Sequence, residues 1–186
     1  LAKSSTLYRF QIELADIDRG IYESLDLRVA QHPSEDAERM VVRVLARALA
    51  HEDGLEFGHG LSNAEDPALS LRSLTSEIEI WIDVGAPGAE RLHRASKRAE
   101  RVLVFTHKLE TALRKEWSTR SIHGADGIEI YRLDPSMISV LAEGLARNVT
   151  WYLTVQDGDL SVSKGEVSVE GSVQKLSLAE FLASES

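Results

Sequence analysis

Cysteine is absent from this chain, which removes disulfides, thiolate zinc sites and cysteine nucleophiles together. Long apolar runs are absent too: no stretch has the length of a membrane span or a secretory hydrophobic core, so a cytoplasmic setting is the expectation. Positive charge is scarce, since 21 Lys and Arg stand against 30 Asp and Glu, for a formal net charge of −9. Phosphate affinity draws on concentrated cations, so this deficit argues against indiscriminate nucleic-acid binding and leaves a local basic patch as the route. No Walker-type or dinucleotide-binding glycine pattern follows a strand. The six histidines (His32, His51, His59, His93, His107 and His123) never fall in a His-Glu-x-x-His spacing, which argues against a zinc hydrolase. Ser–His–Asp chemistry stays open, although no nucleophile-elbow sequence supports it. Neither an internal repeat nor a long linker divides the chain. Its 186 residues, 43% of them hydrophobic, suit one domain over residues 1–186 with a sizeable core.

What is present centres on Glu77-Ile-Glu-Ile-Trp-Ile-Asp-Val-Gly85. At a strand's period of two, Ile78, Ile80, Ile82 and Val84 form an aliphatic core face. Glu77, Glu79, Trp81 and Asp83 fall on the other face, where a carboxylate needs a partner or a purpose. Asp83 adjoins the turn Gly85-Ala-Pro-Gly88 that opens a helix; it reads either as a site residue or as part of a structural acidic edge. Glu79 shares its face but lies about 13 Å away along the strand, too far to share one small ion.

Alternation over residues 6–14 and 21–29, around the turn-rich Asp16-Ile-Asp-Arg-Gly20, gives an antiparallel hairpin. A helix is expected from His32-Pro-Ser-Glu35 to about Glu52. Pro33 fits its first turn and Glu35 its positive end. Val42, Leu45 and Leu49 form the buried stripe; Arg39, Arg43 and Arg47 lie on the solvent side. Glu38 falls on the buried stripe, either as a first-turn acid or as a site residue. Gly54–Asn63 is irregular. Asp66, held extended before Pro67, is either an aimed carboxylate or an ordinary turn residue. After the Gly85–Gly88 turn a helix is expected over Ala89–Arg101, with Arg91, Arg94, Arg98 and Arg101 at helical spacing and Lys97 beside them. Such a stripe is a solvated face or a phosphate dock. A strand at 102–106, a helix at 108–119, a strand at 127–133 and a helix from Asp134-Pro135 to about Arg147 imply some parallel sheet. Residues 149–155, 160–162 and 167–169 complete a β-meander around an Asp157-Gly158 turn. The class is mixed α/β: a central sheet flanked by helices, with antiparallel β-hairpins added at both ends.

Three stretches then carry a resemblance: His32-Pro-Ser-Glu35 with Glu38-Arg39, Ile80-Trp-Ile-Asp-Val-Gly85 with Pro87, and Gln156-Asp-Gly158. In order and spacing the chain resembles the YaeQ family of bacterial proteins over nearly its whole length. That resemblance implies a restriction-endonuclease-like core of the PD-(D/E)xK superfamily. In that superfamily an acid on the first helix, an acid on a strand and an acid-x-Lys pair serve a Mg²⁺-dependent nuclease. Carried over, Glu38 matches the helix acid, Asp66 the first strand acid and Asp83 the acid of the acid-x-Lys pair, which makes them the implied ligands of Mg²⁺ or Mn²⁺. Gly85 stands where the lysine belongs. Arg94 or Lys97 on the following helix would supply the cation, although an arginine stays protonated and cannot activate water as an amine can. Two functions follow from the resemblance. One is a Mg²⁺-dependent nuclease whose stripe Arg91, Arg94, Arg98 and Arg101 docks phosphates; the other is a catalytically degenerate member that binds a nucleic acid or protein partner.

Overall fold

Helix α1 (Ala37–Leu49) is the element that the rest of the chain wraps. Met40 to Ala46 are all buried, so this helix is enclosed on nearly every side. It starts at Asp36, whose carboxylate accepts from the Arg39 N–H at 2.7 Å, a cap worth about 1 kcal/mol. The residues expected to form its first turn instead form a bend, in which the Glu35 N–H donates to the His32 carbonyl. At the far end Arg19 caps the helix, donating to the carbonyls of Leu49 at 2.7 Å and His51 at 2.9 Å. Enclosure also overturns the expected solvent face of α1. Arg43 is buried and bonds both oxygens of buried Glu35 at 2.7 Å, while Arg39 reaches the same carboxylate at 2.6 Å.

A computed structural model describes residues 4–59 and 65–184. Among these, ten strands form one sheet: β1 (Thr6–Asp16), β2 (Ile21–Gln31), β3 (Glu56–Phe57), β4 (Leu69–Arg72), β5 (Ile78–Val84), β6 (Ala99–Thr106), β7 (Ile128–Leu133), β8 (Asn148–Gln156), β9 (Asp159–Lys164) and β10 (Val167–Ser177). Their order is β2-β1-β8-β9-β10-β7-β6-β5-β4-β3. The pairs β1–β8, β5–β6 and β6–β7 are parallel, as the strand–helix alternation implies. The N-terminal hairpin and the C-terminal meander therefore continue the sheet instead of decorating it. The joint is β10, whose Val167–Ser172 pair with β9 and whose Val173–Ser177 pair with β7. Here α4 (Pro135–Ala142) comes so close that a Cβ on Gly171 would lie 2.5 Å from Met137 Sδ. Glycine is the residue that fits.

Two cores result. One gathers α1, α4 and the facing residues of β1, β2, β5, β8 and β9. The other packs α2 (Ala89–Ala95), α3 (Glu110–Trp117) and α5 (Leu178–Ala183) on the opposite face of β5, β6 and β7. Ile80, Ile82 and Val84 face α1 as the alternation requires, but Ile78 joins the second core with Trp81. A register shift causes this, since Leu71 opposes Ile80 while Arg72 opposes Ile78. Among the described residues no helix is long and apolar enough to cross a membrane.

Candidate functional site

Asp83 lies near the C-terminal end of β5, on the face turned to α2, and its side chain is 5% exposed. A buried carboxylate needs a cation, and Arg91 in the first turns of α2 provides one. Its Nε donates to Oδ2 at 2.7 Å and its Nη2 to Oδ1 at 2.8 Å. The same Nη2 donates to the main-chain oxygen of Asp66 at 2.7 Å. The hydrogen bonds to Asp83 hold the Arg91 guanidinium above its ordinary pKa, so this is a permanent charge-assisted fork.

The loop that sets this geometry is itself held at three points. Gly85 N–H donates to the Phe105 carbonyl at 2.9 Å, Trp117 Nε1 donates to the Pro87 carbonyl at 2.8 Å, and Ala89 N–H donates to Glu116 at 3.1 Å. Gly85 has left its strand and turns with φ +84°, a left-handed conformation that favours glycine. It therefore does not share the strand face of Asp83, as the two-residue spacing suggested.

Trp81, two residues before Asp83, forms the floor beneath α2. The guanidinium carbons of Arg91 and Arg98 lie 5.3 and 5.6 Å from its ring centre, within cation–π range. Arg94 bonds both oxygens of Glu65 at 3.1 Å, and Arg98 lies 4.0 Å from the same carboxylate. Lys97 is exposed and makes no ion pair among the described residues.

The basic stripe is shorter than its spacing implied. Helix α2 stops at Ala95, a turn covers Ser96–Arg98, and β6 begins at Ala99. Arg101 is thus a strand residue on the opposite face of the sheet, paired with Glu52 at 2.9 Å and Glu129 at 3.2 Å. Arg91, Arg94 and Arg98 remain together.

Of the three acids, the structure brings two together. Asp66 and Asp83 meet at Arg91, with Asp66 contributing its carbonyl to that contact. The Asp66 carboxylate turns to His59 Nδ1 at 2.9 Å. That pair lies in a cleft of about 320 Å³ whose lining includes Phe57, Ser70 and Arg72. Glu38 sits in the first turn of α1, 39% exposed, with Oε2 3.0 Å from His107 Nε2. His107 follows β6, and its buried Nδ1 has no hydrogen-bond partner among the described residues. Among the described residues no group of three or more His, Asp or Glu is placed to hold a metal ion. In this arrangement the donor set does not fit Mg²⁺ or Mn²⁺, because the Arg91 cation already stands against both Asp83 oxygens and Glu38 is turned to His107 instead of to Asp83. Sequence spacing missed the roles of Arg91, His59 and His107. Each contacts its acid across a turn or between elements, where no period applies.

The chain belongs to the YaeQ family, whose model, described as YaeQ protein, matches residues 1–173. It is 30% identical over 172 residues to a Salmonella typhi protein named "Uncharacterized protein YaeQ", covering 91% of this chain and 94% of that one. A protein of the same name from Escherichia coli strain K12 is 29% identical over 174 residues, with the same coverage of 91% and 94%. Two crystal structures share the fold. The YaeQ protein of Pseudomonas syringae superposes with a TM-score of 0.86 at 35% identity, covering 92% of this chain and 96% of that one. That of Xanthomonas axonopodis pv. citri gives 0.85 at 32% identity, covering 92% and 98%.

Proposed function

We propose that this chain carries the restriction-endonuclease-like core of the PD-(D/E)xK superfamily in a form that binds a nucleic acid and does not cut it. The observation that carries this reading is the two-point bond between Asp83 and Arg91. A guanidinium bound across both oxygens sets a positive charge against any metal ion that approaches Asp83, and the turn at Gly85 supplies no amine beside it. Binding falls to the exposed cations that remain on the α2 rim, Arg94, Lys97 and Arg98, over the Trp81 floor. Their small number against a net charge of −9 suits a local, salt-sensitive contact.

The test is a panel of single- and double-stranded DNA and RNA with Mg²⁺ and with Mn²⁺. Wild type is expected to cleave no faster than Asp83→Ala. It is expected to bind at low salt, with a shallower salt dependence after Arg98→Glu. Cleavage that needs the metal and disappears in Asp83→Ala would overturn the reading. Failure to bind any nucleic acid at low salt would move it to a protein partner.

One observation favours the nuclease alternative: a single Arg91 nitrogen touches both the Asp66 main chain and Asp83. In that reading Arg91 would release Asp83, Glu38 would leave His107, and the three acids would hold Mg²⁺ or Mn²⁺ with Arg94 or Lys97 nearby. An Arg91→Ala variant that gains metal-dependent cleavage over wild type would support it.

A further inference from the structure

We propose that β2 is the seam of a homodimer, in which two copies of the chain pair β2 to β2 antiparallel with Leu27 on the two-fold axis. β2 ends the ten-stranded sheet, and no strand lies beyond it among the described residues. Its eleven residues pair with β1 without interruption, from Ile21 opposite Asp16 to Gln31 opposite Thr6. A long, regular edge offers a row of unpaired backbone groups, which proteins usually blunt with proline, a bulge or a very short strand. β2 has none of these, whereas the opposite edge, β3, is two residues long. The Ala30 carbonyl already accepts from Arg43 at 2.9 Å, and a carbonyl oxygen can accept a second bond.

The side chains select both the occupant and the register. Ser24, Asp26, Arg28 and Ala30 point outward, and Leu25, Leu27 and Val29 point into the core. With Leu27 on the axis, Asp26 faces Arg28 of the second copy and Arg28 faces its Asp26. Leu25 then faces Val29, Ser24 faces Ala30, and Glu23 faces Gln31. Moving the axis to Asp26 sets two aspartates against each other, and moving it to Arg28 sets two arginines against each other. Like charges directly opposite are destabilising. Arg28 makes no ion pair among the described residues, while Asp26 is held by Arg9 at 2.8 and 2.6 Å and keeps acceptor sites for a second cation. A strand that complements itself in one register is the mark of a two-fold contact. This inference does not depend on the α2 site.

Sedimentation of the full chain over a concentration series tests it. Wild type is expected to dimerise. Asp26→Arg and Arg28→Asp should each weaken the dimer at least about tenfold, and the doubly exchanged variant should restore it, because each charge again faces its opposite. The chain has no cysteine, so Leu27→Cys adds a single reporter. Residues directly opposite in an antiparallel pair lie about 4.5–5.5 Å apart at Cα, within disulfide range. Mild oxidation should therefore link two copies. A wild type that stays monomeric at its highest soluble concentration overturns the proposal. So does a dimer that ignores both reversals, or a folded double exchange that remains monomeric.

Discussion

Asp83 and Arg91 stand eight residues apart in the chain, and the strand–turn–helix corner brings them into a two-point ion pair at 2.7 and 2.8 Å. The aspartate is nearly enclosed, while the arginine keeps 24% of its side chain in solvent. Removing the acid strands a half-buried cation; removing the cation strands a buried acid. The second loss is the larger, because water can partly re-solvate Arg91 but not Asp83. Arg91→Met is therefore expected to cost about 2–4 kcal/mol and Asp83→Ala about 1–3 kcal/mol. Urea melts of both variants and of the double variant would measure the pair. A coupling energy near zero would mean that the fork contributes nothing to stability.

Gly85 makes the next prediction. A Cβ there would find no atom of the described residues within 4 Å, so space is not the obstacle. The obstacle is φ +84°, which costs a residue with a side chain about 1–2 kcal/mol. Gly85→Lys should lower stability by about that amount, and Gly85→Asn by less, since asparagine tolerates the left-handed region. The lysine would also project away from the β5 ladder, so it should not create the amine that the proposed superfamily places beside its acid. Equal melting temperatures for Gly85→Lys and wild type would refute the strain argument.

Local chemistry made much of this fold legible. The Asp157-Gly158 turn has both central residues at positive φ, 53° and 81°, as a two-residue hairpin demands. Asp134-Pro135 starts α4 with Asp134 accepting from the Ser136 N–H at 2.9 Å. What escaped was set by distant parts of the chain. Arg43 sits at a helical spacing that reads as solvent-facing, and only the sheet that closes over α1 buries it. Arg101 continues the arithmetic of Arg91, Arg94 and Arg98, but pairing of Ala99 with Ile78 ends the helix first. Helix α5 carried a signal that alternation hid: Ser177 and Glu180 form a capping box. For the candidate site, the acids were visible as residues but their partners were not. Charge pairs across a corner leave no period in sequence.

The buried Glu35 carboxylate holds two guanidiniums, with Arg43 3% exposed and Arg39 on the rim. Breaking such a pair from one side leaves an uncompensated charge and costs about 3–5 kcal/mol. Glu35→Ala should approach that loss. Glu35→Gln, which keeps an oxygen to accept from Arg43, should lose less. Denaturant midpoints for the two variants would rank them, and a Glu35→Ala protein as stable as wild type would mean that the pair adds nothing to holding the turn before α1 against the helix.

A last prediction concerns acid. Burial first, and the positive charge of Arg47 second, lower the pKa of His51 from its ordinary 6.5. Arg47 Nη1 lies 2.9 Å from His51 Nδ1, a contact in which arginine can only donate, so Nδ1 carries no proton in the folded chain. In the unfolded chain the imidazole titrates at its ordinary value. Above about pH 6.5 both states are neutral and His51 leaves stability unchanged. As the pH falls through 6.5 and then through the lower folded value, the unfolded chain gains its proton first and stability is lost. Carboxylates such as Glu129 act further down the scale: burial raises its pKa, but the hydrogen bonds from Lys175 and Tyr131 outweigh that and hold it below the usual value. Wild type should therefore lose stability between about pH 7 and 5. His51→Gln, which retains an acceptor for Arg47 and cannot be protonated, should flatten that slope while leaving the acid transition at lower pH in place. Urea midpoints at intervals of half a pH unit would decide it; parallel curves for the two proteins would assign the slope to another group.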